Sequence, residues 1–269
     1  MNKRIGFIGA GNMAKAIIGG IINSKLVASE NIFIYGPHIE RLRVTQSEFG
    51  VQIGNTAKEL AESMDVLFIA VKPNIFLKVL DEIKDYIKKD AIIISIAAGI
   101  TIREMESILN EEYKIVRAMP NTPALVGEGM SSLCGNDKVT EEEILLVKEL
   151  FESFGKAEIL PEYLIHSVIG VSGSAPAYAF MMIEAMADGA VLGGMPRDKA
   201  YKFAAQALLG SAKMVLETGK HPGELKDMVC SPGGTTIEAV KTLEQSGFRS
   251  AVIEAMEKCM DKSKDMERK

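Results

Sequence analysis

The chain has 269 residues, 47% of them hydrophobic and 25% charged, which is enough for one large domain or two moderate ones with packed cores. Its 31 Lys and Arg against 36 Asp and Glu give a net charge of -5 with no basic tract, so the electrostatic footprint of a nucleic-acid binder is missing. The 3 cysteines (Cys134, Cys230, Cys259) and 3 histidines (His38, His166, His221) are dispersed, which argues against a disulfide framework or a metal cluster and fits a reducing compartment.

The N-terminus runs from Met1 straight into a strand pattern, and no secretory leader is expected. Short apolar runs follow at Arg4-Ile8, Ile32-Tyr35, Val66-Val71, Ala91-Ile96, Lys114-Ala118 and Ser131-Cys134. Helix patterns lie between them, at Met13-Ile22, Ile39-Phe49, Ala57-Ser63, Ile75-Ile87 and Ile102-Leu109. Continuous Val/Ile/Phe runs separated by helices predict strands buried on both faces, hence a parallel sheet with crossover helices. Glu141-Phe154 reads as a further helix, followed by a short strand at Ala157-Leu160.

After Pro161 no strand pattern remains. Tyr163-Gly194 is long, apolar and crowded with small residues; Arg197-Thr218, Gly223-Val229, Thr235-Gln245 and Phe248-Lys264 are further helix patterns. The domain boundary is expected near Pro161, giving a dinucleotide domain over 1-161 and a helical domain over 162-269. The last residues, Lys262-Lys269, read as a frayed, solvated end. No uninterrupted apolar stretch spans a bilayer: Ser167-Met195 comes nearest but carries Glu184 and Asp188. A soluble, cytoplasmic protein with no membrane partner is expected.

The chemistry starts at Gly9-x-Gly11-x-x-Ala14, directly after the first strand, with Ile8 at its end, and directly before a helix. That context lifts a common pattern to a dinucleotide signature. Gly9 allows the tight turn, Gly11 admits the pyrophosphate to the backbone, and Ala14 lets helix and strand pack closely. Ala10, Asn12 and Met13 complete the loop, whose helix N-terminus offers free N-H groups to phosphate.

The second strand ends Tyr35-Gly36-Pro37-His38, and no carboxylate occurs before Glu40. A site built for NAD usually carries an acid there, so NADPH is the expected cofactor and NADH the alternative. His38, Arg41 and Arg43 are candidate partners for a 2′-phosphate, although a solvated helix face explains Arg43 equally well. Ala70-Val71-Lys72-Pro73, Ala97-Ala98-Gly99 and Met119-Pro120-Asn121-Thr122-Pro123 also follow strand runs, where an open α/β sheet binds its ligands. An exposed strand-end lysine without a role is the plain alternative for Lys72.

In the second half, Gly170-Tyr178 opens the long helix with small residues on several sides, which favours a subunit interface over packing within the chain. Ser231-Pro232-Gly233-Gly234-Thr235-Thr236-Ile237-Glu238 leads a glycine pair into another helix start. Thr235-x-x-Glu238 fits a capping box. The same turn makes a second anion site, in which Ser231 and the amides around Gly234-Thr236 would hold a carboxylate. No Lys or Arg lies between Lys156 and Arg197, so the long helix has no lysine to act as acid or base. That disfavours a β-hydroxyacid dehydrogenase, the main enzymatic alternative. An imine needs less help, because its protonated nitrogen already favours hydride addition. A non-catalytic dinucleotide-binding sensor is the remaining reading.

Phe7-Met13, Ala70-Pro73, Arg117-Pro123, Val171-Tyr178 and Lys226-Glu238 together resemble the pyrroline-5-carboxylate reductases, in order and spacing from about Lys3 to Met260. The resemblance implies reduction of 1-pyrroline-5-carboxylate to L-proline with NADPH or NADH. It also implies a Rossmann-type doubly wound domain followed by an all-α dimerisation domain. The family forms interlocked homodimers, often assembled into decamers, with active sites between subunits. By position, Thr236 matches the threonine whose hydroxyl contacts the ring nitrogen, and Ser231 a contact to the substrate carboxylate. Tyr35-Arg43 is where the resemblance carries least.

Overall fold

The computed structural model describes residues 1-109 and 112-267. It divides into one compact unit of Met1-Gly173 joined by the residues from Met260 on, and a second of Ser174-Cys259.

The first unit is built on an 8-stranded sheet of order β3-β2-β1-β4-β5-β6-β7-β8. Its strands are β1 (Ile5-Ile8), β2 (Ile32-Tyr35), β3 (Gln52-Ile53), β4 (Val66-Ile69), β5 (Ile92-Ser95), β6 (Lys114-Met119), β7 (Gly129-Gly135) and β8 (Gly155-Ile159). From β3 to β6 every pairing is parallel; β7 runs antiparallel to β6, and β8 runs parallel to β7. The crossover helices are α1 (Asn12-Asn23), α2 (Ile39-Phe49), α3 (Ala57-Ser63), α4 (Pro73-Ile83) and α5 (Ile102-Leu109), with α6 (Glu141-Glu152) between β7 and β8.

The apolar runs are continuous because both faces of the sheet are covered. Ile5, Phe7, Val66, Phe68, Ile92 and Ile94 enter one core with α1 and α6. Ile8, Leu67, Ile69, Ile93 and Ile115 enter the other with α3, α4 and α5. Phe7 and Phe68 stack across neighbouring strands with ring centroids 4.5 Å apart. The strand order reverses between β1 and β4, and the crevice beyond the carboxyl ends of these strands is where such sheets take ligands.

The compact first unit extends past Pro161, the boundary expected from composition. A short helix α7 (Ile165-Val168) and a π-helical turn at Ile169-Gly173 remain with it. The cause is polar. Glu162 Oε1 accepts from Arg117 Nη1 at 2.8 Å and from the Ile102 amide at 2.9 Å, and Asn121 Nδ2 donates to the Ser172 carbonyl at 3.0 Å.

The second unit contains α8 (Ala175-Leu192), α9 (Arg197-Thr218), α10 (Pro222-Val229), α11 (Thr235-Gln245) and the first part of α12 (Phe248-Glu267). As a single chain it buries few side chains beyond Ala187, Ala200 and Ala204, while Leu192 is 91% and Leu216 79% exposed. Apolar surface on this scale marks an interaction face. By length and composition, the helical stretch Glu162-Leu192 is also long and apolar enough to cross a membrane. The stretch carries the acidic residues Glu184 and Asp188.

The frayed C-terminus expected from Lys262 on is not found among the described residues. α12 continues to Glu267; Ser263 is buried and meets His166 Nδ1 at 2.9 Å, and Glu267 pairs with Arg117. These contacts lie far away in sequence, which is why local polarity hid them. Residues 268 and 269 fall outside the described residues.

Candidate functional site

Gly9, Ala70 and Val71 meet at the switch point. The Gly9 amide donates to the Tyr35 carbonyl at 2.8 Å, and the Ala70 amide to the Ile8 carbonyl at 2.8 Å. Gly9 has φ +106, and a Cβ there would lie 2.5 Å from the Ala70 carbonyl oxygen. Only glycine fits, because the backbone conformation and the neighbouring strand both exclude a side chain.

Gly11 is different. Its φ of -77 suits any residue, and a Cβ there would meet nothing within 4 Å. No contact among the described residues asks for glycine here, so the open space fits a group brought from outside. Gly11 is also the N-cap of α1, makes no side-chain cap, and has no acid in the helical turn that follows. The first amides of α1 therefore keep their hydrogen-bonding capacity and a positive dipole end for a phosphate. These are the properties a pyrophosphate cradle needs, so the residues present fit a dinucleotide.

The other cofactor-side candidates gather along the same edge. Pro37 and His38 follow β2; Lys72 is the exposed N-cap of α4, with Pro73 at its first position; Ala97 and Ala98 follow β5, where the Ala97 amide donates to Ser95 Oγ at 3.3 Å. A cavity of about 100 Å3 lies between the first turn and the end of β2, lined by Ala10, Gly11, Gly36, Pro37, His38, Arg41 and Leu42. A larger hollow, about 630 Å3, opens beside the far half of α1, with Lys15, Glu48, Phe49 and Phe154 on its wall. It touches none of the motif residues, so size alone is a poor guide here.

Asn121 has a structural task. It is buried, its Oδ1 accepts from the Met130 amide at 2.8 Å, and its Nδ2 is spent on Ser172. It brackets the end of β6, β7 and the π-helical turn together, using one of its two N–H donors and one lone pair of its oxygen to do so.

In the second unit, Ser231-Gly234 forms a tight turn in which the Gly234 amide donates to the Ser231 carbonyl at 3.0 Å and Gly233 takes φ +66. α11 starts at Thr235 as expected, but the capping box does not form: Gly234 is the N-cap and no side chain caps the helix. The start of α11 thus resembles that of α1, with a glycine cap and unclaimed amides. Ser231 is exposed and Thr236 half-buried beside them. Tyr178, from the small-residue motif, sits by Cys259 and Ser174; burial, then the Cys259 thiol, pushes its hydroxyl pKa up.

The sequence motifs named above assign no role to the polar cluster around Arg117. Its side chain is 2% exposed, and it donates from Nη1 to Glu162 and from Nη2 to Glu267 at 2.5 Å. Glu267 Oε2 also lies 3.3 Å from His166 Nε2. An arginine inside an apolar strand run was the available signal, because a buried cation needs partners.

Two family models match the chain. One, described as pyrroline-5-carboxylate reductase dimerisation, covers residues 162-266; the other, described as NADP oxidoreductase, coenzyme F420-dependent, covers residues 4-99. The chain is 58% identical over 266 residues to the pyrroline-5-carboxylate reductase of Escherichia coli strain K12, covering 99% of each. Among solved structures, a pyrroline-5-carboxylate reductase from Coxiella burnetii superposes with a TM-score of 0.94 at 32% identity, covering 99% of both chains. The Plasmodium falciparum pyrroline carboxylate reductase with NADP bound superposes with a TM-score of 0.88 at 34% identity, covering 99% of this chain and 98% of that one.

Proposed function

The chain belongs to the pyrroline-5-carboxylate reductase family, and from that membership we propose how its residues carry out the reaction. It is an NAD(P)H-dependent oxidoreductase of proline biosynthesis, reducing 1-pyrroline-5-carboxylate to L-proline. The observation that carries the assignment of residues is the pair of uncapped, glycine-led helix starts, one at Gly9-Asn12 and one at Ser231-Thr236. Two anion-binding turns suit a phosphate-bearing cofactor and a carboxylate-bearing substrate.

The dinucleotide would be held by Ile8, Gly9, Ala10, Gly11, Asn12 and Met13 at the first turn, by Pro37 after β2, and by Ala70, Val71, Lys72, Pro73, Ala97 and Ala98 after β4 and β5. When bound, NADPH supplies the hydride. The substrate carboxylate rests on Ser231 and on the amides of Gly233, Gly234, Thr235 and Thr236. The Thr236 hydroxyl orients the ring nitrogen and hydrogen-bonds to it. With no lysine available on the long helix, the chain relies on positioning an already reactive iminium.

In functional terms the chain divides into a dinucleotide domain at 1-161 and a dimerisation and substrate domain at 162-269. Its helical part self-associates. We assign the exposed apolar faces of α8 and α9 to an interlocked homodimer that assembles further into decamers. The same assignment gives Glu162-Leu192 a protein partner rather than a bilayer, and places the enzyme in the cytoplasm with no nucleic-acid or membrane partner.

The test is oxidation of NADPH, and of NADH in parallel, by the purified oligomer with synthetic pyrroline-5-carboxylate. Saturable turnover supports the reading. Cofactor binding without turnover would turn it into a dinucleotide sensor.

A further inference from the structure

We propose that Arg117, which lies outside the residues assigned to cofactor and substrate, is a positioning residue: through Glu162 and Glu267 it fixes the loop after β5 that carries Ala97 and Ala98. The inference rests on the reductase reading above and deepens it.

Contacts at three points hold the loop from Ile96 to Thr101. At its start, the Ala97 amide donates to Oγ of the buried Ser95, and Ser95 stands in register with Arg117 across β5 and β6. At its middle, Gly99 turns with φ +75, and a Cβ there would lie 3.5 Å from Cβ of Met266, the residue before Glu267 on α12. At its end, the Ile102 amide donates to Glu162 Oε1 at 2.9 Å, the same oxygen that accepts from Arg117 Nη1 at 2.8 Å. Arg117 Nη2 holds Glu267. One guanidinium therefore anchors both the carboxylate that ties the end of the loop and the helical turn that packs over its middle.

The sheet alone does not call for a cation at this place. Ile93 and Ile115, on the same face, are apolar and fully buried. An apolar side chain of similar volume would fill the position without desolvating a charge. What a guanidinium adds is direction, because its donors form a rigid fork that sets two carboxylates at fixed places. On the reductase reading Ala97 and Ala98 lie beyond the carboxyl end of β5, where this class of sheet takes its ligand. A loop held there to within a fraction of an ångström holds the hydride donor in reach of its acceptor.

The experiment compares wild type with E162A, E162Q, E267A and K114M. Neither alanine variant strands the arginine, because the other carboxylate still holds it. Calorimetry with the adenine half of the preferred cofactor (2′,5′-ADP for NADPH, 5′-AMP for NADH) counts the folded sites and gives their affinity. Turnover at saturating cofactor and pyrroline-5-carboxylate is then expressed per counted site, a quantity that a lower folded fraction does not move. E162A is expected to lose about tenfold or more in kcat per site, with fragment affinity within about twofold of wild type. E162Q, which keeps an oxygen facing the Ile102 amide and Arg117, should recover most of that rate. E267A should fall in the same direction by less. K114M breaks an ion pair at the opposite end of β6 and should keep the wild-type kcat per site. A wild-type kcat per site in E162A, an equal loss of rate and fragment affinity, or an equal fall in K114M would overturn the inference and leave the reductase reading intact. A wild type that turns over with neither cofactor would overturn both.

Discussion

Arg117 and Glu267 stand 150 residues apart in sequence, and Nη2 of the arginine donates to Oε1 of the glutamate at 2.5 Å. The contact fastens the end of α12 to the sheet. Removing a buried partner strands charge, which typically costs about 3 kcal/mol or more. R117A is therefore expected to destabilise the protein by about 3 kcal/mol. E267Q should cost less, because Glu162 still holds the guanidinium. Urea denaturation at fixed oligomer concentration checks the order; an E267Q variant weaker than R117A would show that the carboxylates bear the load instead.

The two motif glycines should fail in different ways. G9A puts a Cβ 2.5 Å from the Ala70 carbonyl oxygen at a φ of +106, so it should lose both stability, by about 1-3 kcal/mol, and cofactor binding. G11V has open space and an ordinary φ. It should melt within a few degrees of wild type yet bind NADPH at least about tenfold more weakly. Nucleotide fluorescence titration beside thermal melting separates the cases, and full NADPH affinity in G11V would remove the cradle.

Thr236 sits at the start of α11 with its hydroxyl unused by any cap. T236A should lower kcat about 100-fold while the NADPH dissociation constant moves less than about twofold. T236S, which keeps the hydroxyl, should recover most of the rate. A wild-type kcat in T236A would take this residue out of the reaction.

Acid stability has a local source. Partial burial pushes the Glu143 pKa up, but hydrogen bonds from Lys114 and Thr140 outweigh it and hold the carboxyl below its ordinary range. A pKa depressed by folding adds stability above the unfolded value of about 4.3 and loses it as pH falls through the folded one. Lys114, 2.6 Å from Glu143, supplies much of the effect. K114M should therefore show a shallower loss of stability between about pH 5 and pH 3 than wild type. Parallel acid limbs in urea titrations would assign the effect to other carboxylates.

The outer faces of α8 and α9 should carry self-association. Phe180 and Phe203 are 60% and 67% exposed in the single chain. F180E and F203E should shift the protein toward smaller species in light scattering, since a buried charge opposes assembly. Unchanged mass for both variants would move the interface elsewhere.

Much of this architecture could be read along the chain because its signals are local. Buried parallel strands announce themselves as unbroken apolar runs, and Gly9-x-Gly11 stands where a strand hands over to a helix. β3 escaped because Gln52-Ile53 is too short to show periodicity, and the reversed direction of β7 leaves no mark in residue type. The Thr235-Glu238 pattern misled, since Gly234 takes the cap position one residue earlier, whereas the same pattern at Thr140-Glu143 does form a box. Asn121 and the Arg117 cluster depend on partners distant in sequence, so only the folded chain reveals that one braces the loop after β6 and the other ties down the end of α12.

Gly9 and Gly11 belong to one motif but answer to different masters. Gly9 is demanded by the chain's own backbone, whereas nothing among the described residues demands Gly11, which on the proposed reading answers to the cofactor. In a descendant that gave up its cofactor and survived as a scaffold, drift would be free to replace Gly11 with almost any residue, while Gly9 would stay under selection for folding. The decay of such a motif would thus be lopsided, and a lineage that keeps its first glycine but has lost its second would record the loss of activity before any assay did.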